Sequence, residues 1–223
     1  MAEINFLCVH KQLRTKKLAP TLIREVTRRV NRCNIWQAIY TAGIIIPTPF
    51  TATTYWHRSL NPKKLVECRF SSLPQGTPLA RYVKMYKLPN NQQLPDLRPM
   101  EEKDIKQVHK LLNSHLSQFK VHIQFSEQEI RHFLLPREWV IESFVVEDNN
   151  KITDFISFYS LPSSVLKHPE HKILNVAYSY YHVPGKYTAT ELMKDALILA
   201  KNKGYDVFNC LDVQHNEQFL KDL

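Results

Sequence analysis

Residues 14–20 carry the chemistry most readily read from side-chain type and spacing. Arg14, Lys16 and Lys17 stand in a short polar stretch, with Ala19 and Pro20 just after them. An apolar run at residues 5–10 precedes the stretch, and Leu22, Ile23, Val26 and Val30 follow at helical spacing. Strand, basic turn and helix in that order leave the first amides of the helix unpaired. With the helix dipole, those amides attract phosphate. Pro20 suits a first helical turn, where its missing N–H costs no bond, and Ala19 is small enough to let a ligand approach the backbone. Periodicity alone leaves two readings open, an anion cradle and an ordinary solvated basic turn. By itself it leans to the second, because basic turns are common.

Asn5 and Thr41 are polar residues within apolar runs expected to form strands, so burial would oblige each to find a partner. A pair of histidines, His168 and His171, flanks Pro169 and Glu170. The proline disfavours the helical turn that would aim both rings at one ion, no third ligand stands out, and a solvated loop is the better reading. Cys8, Cys33, Cys68 and Cys210 are scattered without a C-x-x-C pair. They read as free or buried thiols in a reducing compartment, with no metal site.

These residues need elements to position them. Residues 5–10 read as a buried strand, a helix begins near Pro20, and residues 35–46 read as a second strand interrupted near Gly43. Tyr55, Trp56 and His57 follow a loop, and the proline- and amide-rich stretch 88–99 is the best candidate linker. Beyond it, Ile105, Val108, Leu112 and Leu116 mark an amphipathic helix. Ser126 with Glu129, and Thr188 with Glu191, are capping boxes that open two more helices, the second closing at Gly204. Residues 148–151 read as a hairpin turn between apolar runs, with further strands at 177–181 and 206–211. The order predicts an α/β protein of two related half-domains rather than one continuous parallel sheet.

The chain has 223 residues, 43% of them hydrophobic, and a formal charge of +9. That composition fits a globular protein whose partner is anionic: nucleic acid, membrane surface or a phosphorylated small molecule. No leader pattern opens the sequence and the apolar run at 43–46 is far too short to span a bilayer, so a cytoplasmic protein is expected. Nucleic acid is disfavoured, because the basic residues cluster in turns and on helix surfaces and are not interleaved with aromatics.

Residues 3–20 resemble the signature of N-myristoyltransferases. Further matching segments keep the same order: Trp-Gln-Ala-Ile-Tyr-Thr-Ala-Gly at 36–43, Tyr-Trp-His-Arg-Ser-Leu-Asn-Pro at 55–62, and Leu-Arg-Pro-Met at 97–100. Asp-Phe-Ile-Ser-Phe-Tyr at 154–159, Ala-Tyr-Ser-Tyr at 177–180 and Gly-Tyr-Asp-Val-Phe-Asn at 204–209 complete the set. The resemblance implies two fused acetyltransferase-like (GNAT) halves, both incomplete, with residues 1–89 belonging to the first and 90–223 to the second. It implies transfer of a myristoyl group from myristoyl-CoA, a substrate and not a cofactor, to the N-terminal glycine amine of proteins. An inactive fragment that keeps the fold and some CoA affinity is the alternative.

Residue by residue, the resemblance gives the main-chain amides of Phe6 and Leu7 to an oxyanion hole, which requires them to splay from the neighbouring strand. It gives Cys8 and Val9 to the acyl-CoA path, Thr15, Lys17, Leu18 and Ala19 to the phosphates, and Asn5 and Thr41 to ordering the incoming amine or a water. For Asn5 and Thr41 a plain strand-end hydrogen bond is an equal reading. Tyr55, His57, Ser163, Tyr178 and Asp212 would contact the peptide, although tyrosines such as Tyr178, Tyr180 and Tyr181 often serve only as core. The family's general base is its own C-terminal carboxylate, which Leu223 would not supply, so poor turnover is expected. Strand 206–211 is expected to present an open edge, and the first half to be the less stable. A monomer is expected, and peripheral association with a membrane or the ribosome is compatible with the charge.

Overall fold

The computed structural model describes residues 1–166 and 168–223. They form two compact units, Met1–Ala52 and Thr53–Leu223, and the proline-rich stretch 88–99 lies within the second.

In the first unit, strand β1 (Ala2–Glu3) runs parallel to β2 (Ala38–Ile39). A 3-10 turn at Lys11–Lys16 leads into helix α1 (Leu18–Arg32). The strand expected at residues 5–10 does not form, since β1 lies ahead of that run, and of the strand expected at 35–46 only Ala38–Ile39 pairs. The ladder ends where the Ile4 N–H donates to the Ile39 carbonyl at 2.9 Å. Phe6 then turns to φ 58° and stands 97% exposed. Asn5 and Thr41 are likewise exposed and outside any strand, so burial obliges neither to find a partner. The physical reason is cover: none of the 52 residues is buried, and one helix over two-residue strands cannot enclose a core.

The second unit is built on a six-stranded sheet of order β3-β10-β9-β6-β5-β4. Its strands are β3 (Tyr55–Ser59), β4 (Leu97–Pro99), β5 (Ile141–Asp148), β6 (Lys151–Ser160), β9 (Val176–Val183) and β10 (Val207–Leu211). A small ladder, β7 (Ser163–Ser164) with β8 (Ile173–Leu174), stands apart. All neighbours are antiparallel except β9 and β10. Strand 206–211 therefore has no open edge. Residues 55–59, to which the sequence reading gave no element, pair along its whole length, and β3 and β4 are the edges.

Helix α6 (Ala189–Asn202) covers one face, its Leu192, Ala196 and Leu197 packing with Phe144, Ile156, Phe158 and Phe208. Helices α4 (Ile105–Leu116) and α5 (Glu127–Leu134) cover part of the other, over Val145, Phe155 and Val183. Short helices α2 (Pro62–Glu67) and α3 (Leu79–Met85) follow β3, and α7 (Glu217–Leu220) ends the chain. Leu65 of α2 packs beside Val176 and Val207. Both capping boxes form as the spacing predicts. Asn149 and Asn150 take φ of 49° and 61° in a two-residue hairpin turn.

Candidate functional site

In the first unit the chain's departure from the β1–β2 ladder frees main-chain amides. Phe6 in the left-handed region points the chain away from β2, and among the described residues neither its N–H nor that of Leu7 has a hydrogen-bond partner. A cavity of about 560 Å³ opens between this segment and α1. Asn5, Phe6, Leu7 and Thr41 line it together with Ile23, Val26 and Val30, the apolar face of the helix. The four residues assigned to the reacting centre thus share one apolar cavity, although none is buried.

A second opening, of about 550 Å³, adjoins the start of α1. Leu7, Cys8, Val9, Arg14, Lys17, Ala19 and Pro20 line it. Lys17, the residue before the helix, takes φ 53° and ψ 36°, and no side chain caps the first turn. That turn also lacks an acidic residue, and its Ala19 and Pro20 line the opening beside the cationic Arg14 and Lys17. Thr15 lies in the 3-10 turn and Leu18 begins the helix, but neither lines this opening. On the far side of α1, Arg28 and Arg29 clasp Glu25 and hold its carboxyl down to about 2.

In the second unit, the aromatic residues expected at a peptide site form one surface on the sheet. Phe208 and Cys210 face α6, so by alternation Asn209 faces the other way. His57, Asn209, Tyr178 and Tyr159 are register partners across β3, β10, β9 and β6. Tyr178 stacks on Tyr159 with ring centres 5.3 Å apart and meets Tyr55 edge-on at 5.9 Å. Burial, then the neighbouring tyrosines, push the Tyr159 hydroxyl up to about 12, and burial also raises Tyr55. The His57 ring stacks near Tyr55 and meets Phe70 almost at a right angle, with Nδ1 2.7 Å from the Asn209 Oδ1.

Asp212 holds the end of this surface in shape. Its Oδ1 accepts from the Thr54 N–H at 2.7 Å, and its own N–H donates to the Thr54 carbonyl, fastening the start of β3 to the end of β10. Ser163 does not join the cluster. It is exposed in β7, paired with Leu174, and among the described residues makes no hydrogen bond or ring contact with Tyr55, His57 or Tyr178. Asn209 and Tyr159 are part of the surface but escaped the sequence reading. The usable signal was an amide in the middle of the apolar run 207–211. His168 and His171 stack in a loop, with His171 bonded to Glu67 at 2.9 Å.

Two family models cover nearly the whole chain. The N-terminal domain of myristoyl-CoA:protein N-myristoyltransferase matches residues 1–53, and the C-terminal domain matches residues 67–223. Glycylpeptide N-tetradecanoyltransferase 1 of Arabidopsis thaliana is 55% identical over all of this chain and 52% of its own length. The corresponding figures for glycylpeptide N-tetradecanoyltransferase 2 of Danio rerio are 54% and 46%. The chain therefore spans about half the length of these curated relatives. A crystal structure of Saccharomyces cerevisiae N-myristoyltransferase with bound myristoyl-CoA superposes with a TM-score of 0.91 at 43% identity. The match covers 99% of this chain and 55% of that one.

Proposed function

The chain belongs to the myristoyl-CoA:protein N-myristoyltransferase family, and on that premise we propose that it transfers a myristoyl group from myristoyl-CoA to the N-terminal glycine amine of proteins. The observation that carries the reading is the shared cavity. An apolar chamber is lined by two residues with unpaired main-chain amides, Phe6 and Leu7, and Leu7 also lines the opening at the basic, uncapped start of α1.

Each part has work to do in an acyl transfer. The apolar wall from α1 takes alkyl chain, and Arg14 and Lys17 with the free amides of α1 neutralise the CoA phosphates. The Phe6 and Leu7 N–H groups meet the thioester oxygen as it gains negative charge. Donors aimed at a developing oxyanion contribute about 3–4 kcal/mol in comparable sites. The glycine ammonium gives one proton to water, the neutral nitrogen bonds to the carbonyl carbon, the carbon–sulfur bond breaks, and the proton shed by the new amide nitrogen ends on the departing CoA sulfur. Asn5 and Thr41, both open to the chamber, orient the amine or a water that relays its proton. The tyrosine and His57 surface of the second unit binds the peptide, with Asp212 holding its end. Ser163 would reach a peptide only beyond that cluster.

We further read the protein as a cytoplasmic monomer whose positive charge leaves it able to associate peripherally with a membrane or ribosome. Among the described residues no helix is long and apolar enough to cross a membrane. The test is the full chain with myristoyl-CoA and a glycine-initiated peptide, followed by the mass gained by the peptide. Transfer to glycine but not to an alanine-initiated control is expected. Tight myristoyl-CoA binding without any transfer would reduce the chain to the alternative, an acyl-CoA-binding fragment.

A further inference from the structure

The contact between His57 and Asn209 has a consequence for what the peptide surface recognises. His57 is exposed on the edge strand β3, and Nδ1 is 2.7 Å from the amide oxygen of Asn209, which is 5% exposed. An amide oxygen can only accept, so this pairing requires the proton to sit on Nδ1. No described residue hydrogen-bonds Nε2, and it is left as a bare lone pair on the surface. The neutral imidazole prefers the opposite tautomer in water, with the proton on Nε2. The ring also stacks near Tyr55, with centres 6.5 Å apart, and meets Phe70 almost at a right angle at 5.6 Å.

We propose that Asn209 is a positioning residue that locks His57 as the Nδ1–H tautomer, so that Nε2 serves as a fixed acceptor for an N–H or O–H of the bound peptide. The selection of peptides by this acceptor rests on the function proposed above; the tautomer itself does not. Asn209 suits the task for a structural reason. It is the register partner of both His57 and Tyr178, so neighbouring strands on either side hold it in place. A serine or alanine at 209 would be too short to reach the ring, and a leucine would fill the space without an acceptor.

The experiment is long-range proton–nitrogen NMR of the imidazole rings in the full chain, with His57 assigned through His57→Gln. A pyrrole-type Nδ1 and pyridine-type Nε2 are expected for His57 in the wild type. Asn209→Leu should move the ring toward the Nε2–H form, and Asn209→Asp, which keeps an acceptor in the same place, should retain Nδ1–H. A merely structural role for Asn209 would not separate these two variants. An Nε2–H ring in the wild type, or a nitrogen pattern indifferent to Asn209→Leu, overturns the assignment. Where Asn209→Leu proves poorly folded, Asn209→Ser replaces it with the same two outcomes.

Binding of a glycine-initiated peptide is read separately. Loss of one hydrogen bond corresponds to an affinity about five- to tenfold weaker in Asn209→Leu, with myristoyl-CoA affinity unchanged. A wild-type chain with the Nδ1–H tautomer but no peptide affinity would count against the proposed function and leave the tautomer assignment standing. Equal peptide affinity in wild type and Asn209→Leu would overturn the acceptor role.

Discussion

His182 lies on β9 with 4% of its surface exposed, its ring nearly perpendicular to that of Phe219, and its buried Nδ1 has no hydrogen-bond partner among the described residues. Burial, and then the nearby His115, push its pKa down to about 4. The unfolded chain thus takes up a proton near the ordinary histidine value of 6.5, which the folded chain refuses until about pH 4. The stability this neutral ring allows is fully present above pH 6.5 and is lost as pH falls toward 4. A single such group gives a slope of about 1.4 kcal/mol per pH unit within that window. Urea unfolding midpoints at several pH values in that window would show it, and His182→Leu should flatten the dependence. Parallel curves for the two proteins would mean that His182 is not the source. Also at this scale, Arg14→Ala with Lys17→Gly should weaken myristoyl-CoA binding by about tenfold at low salt and less at high salt. Glycine is the apt choice at 17 because the φ of 53° there costs glycine nothing. Calorimetric titration at two ionic strengths measures both effects, and an unchanged affinity removes the phosphate role from this turn.

Elements of the second unit are fixed by side chains that stand in for missing backbone partners. At the start of α6, Thr188 and Glu191 form a reciprocal cap. Just before it, the buried Asp154 accepts from the N–H groups of Gly185, Lys186 and Tyr187, each at 2.9 Å. Thr188→Ala should cost about 1 kcal/mol. Asp154→Ala strands three donors and should cost clearly more, with Asp154→Asn intermediate. Gly185→Ala should also destabilise, because its methyl would lie 2.1 Å from the Thr153 carbonyl oxygen. Thermal melts rank the four, and an Asp154→Ala protein no weaker than Thr188→Ala would refute the anchoring argument. The same elements show what could be read in the sequence. Caps, the amphipathic α4 and the Asn149-Asn150 hairpin are local patterns, and all were legible. Strand β3 was not, because its reason for being a strand is β10, about 150 residues away. Nor was the ordering of residues 93–94, whose amides bind Asp195 of α6 at 2.8–3.0 Å. In the first unit the resemblance singled out Asn5, Phe6, Leu7 and Thr41, which line one cavity, but their exposure was not legible. An apolar run reads as a buried strand whether or not anything covers it.

Across the whole molecule, apolar burial is shared out unequally between the two units. Every buried residue described belongs to Thr53–Leu223, whereas Met1–Ala52 has none and leaves Phe6, Trp36, Ile44, Ile45 and Phe50 more than 70% exposed. Resistance to local opening depends on buried contacts, so the first unit must lie at the low end of the stability range and the second near the global value. A ligand that binds only the folded form raises stability by mass action, by about 2.7 kcal/mol at a hundred times its dissociation constant. Myristoyl-CoA seated in the chamber of the first unit should therefore act most on the part with least stability of its own. Amide hydrogen exchange should find α1 exchanging fast in the free protein, with β5, β6 and β9 slowest. Added myristoyl-CoA should slow residues 18–30 markedly and leave the slow strands nearly unchanged, while free CoA, lacking the alkyl chain, should protect the start of α1 alone. Protection confined to the second unit would put the acyl-CoA site elsewhere. Slow exchange in α1 without ligand would show that the first unit is held by contacts other than a buried core of its own.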